Sequence, residues 1–475
     1  MFAGLILTLT VAALDQNIVS PALPQIAGEL GGLEHLGWIV MAFMLTSTVT
    51  VPLYGKASDL YGRRPLFVIS IIVFLVGSAL CGFAHSMMQL IGFRALQGLG
   101  AGGLMTLAQI TIADLVTPRE RGRYQGLFTG VFAFCSVAGP LLGGLLIDAL
   151  SWRWIFYVNL PIGIVALALI LYGLPRSSKK VLRRLDYLGA LLLTLGAVCA
   201  LLLTSWGGTV YPWASPITVA AGGGAALFML LFIWRQRTAS EPLMPLRLFS
   251  NQVFVIAVAV TTLTAMALFG AFVFLPTYFQ LVLGLKPSTA GLLTAPLMGG
   301  LIVASIMGGR IVSATGRYKF FTIIGLVIAT GALSAAALII ATSRPLIIFE
   351  ITLFVLGAGL GLVMPNLTVA LQNAVAQQDL GVATSASSFM RSLGGSFGVA
   401  LAGAIVAGRL ADSPLGAAAE RIQQLINLPP SAHEAISAAF RQASVETFSV
   451  GAVIVAVACA VVLFLPERSL RSDQL

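Results

Sequence analysis

Three charged residues stand where the chain is otherwise too apolar to carry charge. Asp15 lies deep in the first apolar stretch, Arg94 about eight residues into the fourth and Arg391 about ten into the thirteenth. A charge at the centre of a bilayer costs roughly 2.5–3.5 kcal/mol even on lenient scales, so such residues face protein or a watery cavity and find partners there. Asp15 is the one carboxylate at comparable depth. This predicts a network of Asp15 with Arg94, reaching to Arg391, in which Gln97 and Gln109 satisfy remaining donors. The chemistry available to such a set is proton exchange. A carboxylate beside a guanidinium is held ionised, whereas a buried one without it favours the neutral acid. If the Asp15–Arg94 separation differs between two states of the chain, the acid loads a proton in one and releases it in the other. A ligand competing for the ionised site would then exchange with the proton. Glu350 follows Arg344-Pro345 by about five residues, so it is either an interfacial residue or a member of the same cavity, and Asp148 is similarly placed.

The elements that must position these groups are membrane helices. Of the 475 residues, 58% are hydrophobic and only 9% charged, with a mean hydropathy of +0.98. A water-soluble chain carries about 25% charged residues. Apolar segments fall near 2–24, 36–54, 65–84, 86–112, 125–147, 154–174, 187–206, 215–234, 252–283, 288–312, 320–341, 345–370, 381–408 and 447–465, which predicts fourteen spans. The first lacks a basic flank and is too long for a signal sequence, so it is expected to remain as span 1, and a longer native chain would place a short cytosolic tail before it. Pro21 and Pro24 loosen its end, and Pro276 with its polar neighbours predicts a broken or extended end for span 9. The 27 Lys and Arg concentrate on one set of alternating loops, which places both termini in the cytoplasm of a multi-pass cell-membrane protein. The same bias accounts for the net charge of +10 and makes lipid, not nucleic acid, its partner.

The two ends of the chain resemble each other. Gly55-Lys-Ala-Ser-Asp-Leu-Tyr-Gly-Arg63 lines up with Gly309-Arg-Ile-Val-Ser-Ala-Thr-Gly-Arg317. Leu23-Pro24 matches Leu275-Pro276, and Gly139/Gly143 match Gly394/Gly398. Weak symmetry of this kind marks transporters built from repeats. It predicts a six-helix half over 1–174, a linker with two inserted spans over 175–250, and a second six-helix half over 251–475. Within the last, 409–446 is the longest outside connection. There, segments around Glu420–Leu428 and His433–Ser444, separated by Pro429-Pro430, are compatible with an amphipathic pair on the membrane surface or with a solvated helical loop.

Gly55-Lys-Ala-Ser-Asp59-Leu-Tyr-Gly62-Arg63-Arg64-Pro-Leu resembles the loop between spans 2 and 3 of the major facilitator superfamily. Arg94-Ala-Leu-Gln97-Gly98-Leu-Gly100 is similar to its span-4 arginine motif, and Gly139-Pro140-Leu-Leu-Gly143-Gly144 to the span-5 motif of its antiporters. Leu14-Asp15 through Ala22-Leu23-Pro24 resembles the first-helix signature of the fourteen-span drug:proton antiporter branch. Trp152-Arg153-Trp154-Ile-Phe156-Tyr-Val-Asn159-Leu-Pro161 fits that branch too. Asn17 and Ser20-Pro21 depart from it. The resemblance covers essentially the whole chain and implies an all-α fold of two six-helix halves plus two inserted helices, exporting hydrophobic or cationic drugs, or a native lipid or amphiphile, against protons.

Gly55 and Gly62 permit a close helix approach and a tight turn. Asp59, Arg63 and Arg64 can pair across helix ends, with Asp114 as a candidate partner, and together form a latch that opens and closes as the halves rock. The second copy has Ser313 where the first has Asp59, so its latch is expected to be weaker. Gly139-x-x-x-Gly143 permits close helix packing and Pro140 removes a hydrogen bond. The resemblance implies that this motif forms a flexible interface between the halves.

Other classes find little support. There is no HExxH, no Ser-His-Asp set and no phosphate-binding glycine loop, which argues against a membrane enzyme and against ATP drive. An uptake symporter remains an alternative that only the span-5 motif disfavours. The four cysteines and three histidines form no metal-like cluster. The expected energy source is therefore the proton gradient, with no cofactor or metal. The expected partners are a small substrate, protons and lipid, and the expected state is a monomer.

Overall fold

The computed structural model describes residues 1–31, 35–175, 186–207, 211–342, 344–411 and 430–467. Fourteen long helices run through them, thirteen of which meet the length and hydropathy of a membrane span. The remaining one, Met87–Leu115, falls just short because Arg94, three glutamines and a run of glycines dilute its apolar residues. In chain order the spans are 1 (Phe2–Ile18), 2 (Leu36–Tyr61), 3 (Arg63–Gly82), 4 (Met87–Leu115), 5 (Pro118–Ala149) and 6 (Trp154–Tyr157 continued by Asn159–Gly173). Spans 7 (Tyr187–Trp206) and 8 (Pro216–Thr238) follow, then 9 (Gln252–Leu281), 10 (Ala295–Thr315), 11 (Tyr318–Ala341), 12 (Leu346–Ala374), 13 (Leu380–Ala411) and 14 (Pro430–Leu463). Among the described residues the only β contact is one bridge, Gly207 to Tyr211.

Local chemistry explains the helix ends. Pro21 opens a 3-10 turn over Ser20–Ala22, and a short helix Leu23–Leu30 continues from span 1. Ser86 accepts from the Gln89 N–H at the start of span 4, and Thr117 with Glu120 forms a capping box at the start of span 5. Gly62 and Gly316, with φ of 90° and 75°, make the turns after spans 2 and 10, a conformation that a side chain would strain. Pro140 and Pro276 sit inside unbroken helices. Span 9 is thus extended rather than broken, since neighbouring helices can hold the backbone groups a proline frees.

Spans 2, 3 and 4 pack together, as do 10, 11 and 12, while span 1 lies on 5 and 6 and span 9 on 13 and 14. Between the first six spans and the last six, span 2 meets span 13 and span 5 meets span 10. Spans 7 and 8 pair with each other and reach the rest mainly through span 7. Asp186 fixes that hairpin, accepting from Gly189 N–H at 3.1 Å and from Arg235 Nε at 3.0 Å.

The expected separation of His433–Ser444 from span 14 is corrected. These residues form the first turns of span 14, with Ile436, Phe440 and Ala443 buried against neighbouring helices. Burial of this apolar face against protein extends the helix back from its expected start near 447. The Glu420–Leu428 segment and most of the basic linker after span 6 lie outside the described residues.

Candidate functional site

Asp15 and Arg94 meet as predicted. Arg94 Nη1 lies 2.6 Å from Asp15 Oδ2, and the two side chains are 1% and 0% exposed. Arg94 and Gln97 stand one turn apart on span 4, so both reach span 1. Gln97 Nε2 donates to Asp15 Oδ1 at 2.8 Å, and its Oε1 accepts from Arg94 at 2.8 Å. Two residues outside the sequence-based site complete the cluster. Asn159 of span 6 donates to Asp15 Oδ1 at 2.7 Å and to Ser78 Oγ at 3.0 Å. Ser78 of span 3 also accepts from Gln97 and donates to the Phe156 carbonyl. Its approach depends on Gly77, where a Cβ would stand 2.6 Å from the Gln97 backbone. The Arg94 guanidinium lies 4.1 Å from the Phe43 ring centre and 5.7 Å from that of Phe156. The result is one carboxylate receiving three bonds from two helices, spans 4 and 6, inside an apolar shell.

Gln109 and Arg391 do not join this network. Gln109 accepts from Ser388 Oγ at 3.3 Å and, with Arg391, lines a small separate cavity. Gln109 lies just over four turns beyond Arg94 on the same helix, too far to serve the same carboxylate. Glu350 lies outside the cavity as well. Its residue is 8% exposed, and both carboxylate oxygens are buried with no hydrogen-bond partner among the described residues. The cavity role is therefore corrected, and Glu350 sits in the second turn of span 12. Phe349 beside it stacks with Tyr278, Phe279 and Phe448, so helix packing closes over this turn of span 12.

A second assembly forms at the turn between spans 2 and 3. Arg63 bridges Asp59 and Asp114, each at 2.7 Å. The other oxygen of Asp59 accepts from the Val382 N–H at 3.1 Å. Asp59 therefore caps the start of span 13, where helix N–H groups lack partners and the helix dipole favours an anion. Gly55 and Gly381 make this approach possible. A Cβ on Gly55 would collide with the Ser385 side chain, and one on Gly381 with the Asp59 carboxylate. Arg64 takes no part among the described contacts. In the second copy Ser313 does the equivalent work more weakly, its Oγ accepting from Arg123 N–H at 3.1 Å.

The Gly139-x-x-x-Gly143 expectation is corrected. Added Cβ atoms there would meet Asn17 and Ile18 of span 1, in the same set of six helices. The equivalent Gly394 and Gly398 pack on Thr262 and Met266 of span 9. The glycines that bring spans 5 and 10 together are Gly122 and Gly126, facing Gly309 and the Ser305 carbonyl. Their four-residue spacing was the available signal. Arg121, beside them, is 7% exposed and donates to carbonyls of Ala113 and Gln372, the latter across the two sets of spans.

At the opposite end, Trp152 Nε1 donates to Glu29 at 2.6 Å and Arg153 pairs with the same carboxylate. The Trp152 hydrogen bond and then the Arg153 bond hold the Glu29 carboxyl below its ordinary range.

Helical repeats meeting at two mirrored contacts, with buried polar groups near their junction, define a membrane transporter fold. A family model described as Major Facilitator Superfamily matches residues 5–194 and 187–399, and the chain belongs to that superfamily. It is 39% identical over 409 residues to multidrug transporter protein MdtP of Bacillus subtilis, covering 86% of this chain and 75% of the relative. An uncharacterized MFS-type transporter of Mycobacterium tuberculosis is 39% identical over 422 residues, covering 88% of this chain, which spans 61% of that relative's length. Among solved structures, the proton:xylose symporter XylE has the same fold, with a TM-score of 0.66 at 16% identity over 99% of this chain and 97% of that one. The chain is thus a transporter of small molecules and not an enzyme.

Proposed function

We propose that this transporter exports amphiphilic organic molecules, drugs among them, across the cell membrane in exchange for protons. Both termini lie in the cytoplasm in this reading, as the Lys and Arg of alternating loops favour. The observation that carries it is Asp15. Its carboxylate is sealed from water, and one guanidinium at 2.6 Å balances its charge.

Alternating access supplies the switch. With the Gly55–Arg64 turn on the cytoplasmic side, contacts of span 2 with 13 and of span 5 with 10 shut that end. Breaking the Asp59–Val382 bond and separating Gly122 from Gly309 would open it. If that motion draws span 4 from span 1, Asp15 loses Arg94 and takes up a proton. Restoring the pair expels it. Substrate and proton then occupy alternate states, because each favours a different arrangement of the same helices.

The test is proton flux in proteoliposomes under a pH gradient, with a fluorescent amphiphile as substrate. Asp15→Asn should abolish substrate-driven proton movement while leaving correctly inserted protein. Coupled exchange at the wild-type rate in that variant would overturn the assignment.

A further inference from the structure

The cavity holding Arg391 lies between span 4 and spans 9, 12 and 13, so it straddles the first and last sets of six helices. Gln109 enters from span 4, Thr261 from span 9, Thr368 from span 12, and Thr384, Ser388 and Arg391 from span 13. Met364 and Leu371 add an apolar wall. Among the described residues no carboxylate lines this space, and Arg391 forms no ion pair or hydrogen bond. Asp15 cannot serve it, since both its oxygens are engaged by Arg94, Gln97 and Asn159.

An unbalanced guanidinium at this depth is costly. The small residues around it, Ser387, Ser388 and Thr384, leave its face open to the cavity. Arginine presents parallel N–H donors that match a carboxylate in two-point geometry. Hydroxyl and amide groups around it supply further donors, and the apolar wall suits a hydrocarbon body.

We infer that Arg391, with Gln109 and the hydroxyls of Thr384 and Ser388, binds the carboxylate head group of an amphiphilic organic anion. The inference rests on the transport reading and narrows its substrate class. Gln109 and Ser388, already joined at 3.3 Å, hold the head group from both sets of helices. Rocking of one set against the other would part them and loosen the anion. Cationic amphiphiles find no acid in this space.

The test uses the purified full chain in nanodiscs and a dansyl-labelled fatty acid as probe, compared with its primary amide and a trimethylammonium analogue of equal length. The wild type should bind the carboxylate at least tenfold tighter than either analogue. Arg391→Gln should lower that preference to within about threefold, Arg391→Lys should retain part of it, and Gln109→Ala should reduce it less. Each variant is checked for a wild-type elution profile. If Arg391→Gln does not yield folded protein, Gln109→Ala and Arg391→Lys decide the matter.

Equal binding of the amide, or tighter binding of the ammonium, overturns the inference. So does acetate or chloride competing as tightly as the fatty acid, which would make this an inorganic-anion site. Asp15→Asn separates the two proposals. A carboxylate preference that survives in it without proton exchange in the wild type sinks the antiport reading alone. Proton exchange driven equally by amide and carboxylate sinks the anion inference alone.

Discussion

Replacing Asp15 by asparagine keeps the shape of the side chain and removes its charge. The asparagine oxygen can keep the bonds from Gln97 and Asn159, at 2.8 and 2.7 Å. Its amide nitrogen then faces Arg94 Nη1 where the other carboxylate oxygen stood at 2.6 Å, donor against donor. Arg94 retains the Gln97 oxygen at 2.8 Å, the Ile39 carbonyl at 3.3 Å and the Phe43 face, but no counter-charge. Breaking a buried pair by removing one partner typically costs about 3–5 kcal/mol, and the retained acceptors place this case at the lower end, about 3 kcal/mol. Arg94→Gln alone should cost a similar amount by stranding Asp15. The double variant Asp15→Asn/Arg94→Gln strands neither charge, so it should be no less stable than the worse single variant, a coupling of about 3 kcal/mol or more. Thermal unfolding of detergent-purified protein at pH 7.5, with denaturant titration of the same four proteins, measures the cycle. If the single losses simply add in the double variant, the pair is not coupled. The description of this site as one closed charge pair would then be wrong.

Gly381→Ala should push the Asp59 carboxylate from the start of span 13 and lower transport several-fold with normal insertion; cysteines placed at the cytoplasmic ends of spans 2 and 13 should cross-link less readily, and unchanged cross-linking would count against the latch. The Glu29 carboxyl is depressed by Trp152 and Arg153, so its stabilisation is complete above the ordinary glutamate value of 4.5 and fades as pH falls through its lower folded value. Because Glu29 is largely exposed, that contribution is below about 1 kcal/mol. Melting of Glu29→Gln and wild type should therefore differ slightly at pH 7 and converge once pH falls below the lowered folded value; a gap that widens in acid would contradict this. Glu350→Gln should change stability by less than about 1 kcal/mol, since neither carboxylate oxygen has a partner to lose. It should also transport normally, and a marked loss of coupled transport would instead make Glu350 a proton carrier.

Much of the molecule was legible along one dimension. Bilayer thickness demands about twenty apolar residues per helix, so each of the fourteen segments is matched by a helix, although span 14 begins at Pro430 rather than near 447. Asp15 and Arg94 were readable as partners because a lone charge in hydrocarbon is too costly to leave unpaired. The turn motif was readable because Gly62 and Gly316 must take positive φ. Lateral arrangement was another matter. Periodicity says which residues are small or polar, and says nothing of which helix lies beside them. Gly139 and Gly143 therefore looked like a joint between halves and proved to seat span 1, while Gly122 and Gly126 make that joint. Asn159 and Ser78 are ordinary helix residues until spans 3 and 6 converge on Asp15. Arg391 looked like a third member of the Asp15 network until packing placed it in a cavity of its own. Insertion into lipid is decided by composition, segment by segment, and the sequence determines it. Contact between segments already inserted depends on shape matching among many helices of similar polarity, and that choice belongs to the tertiary structure.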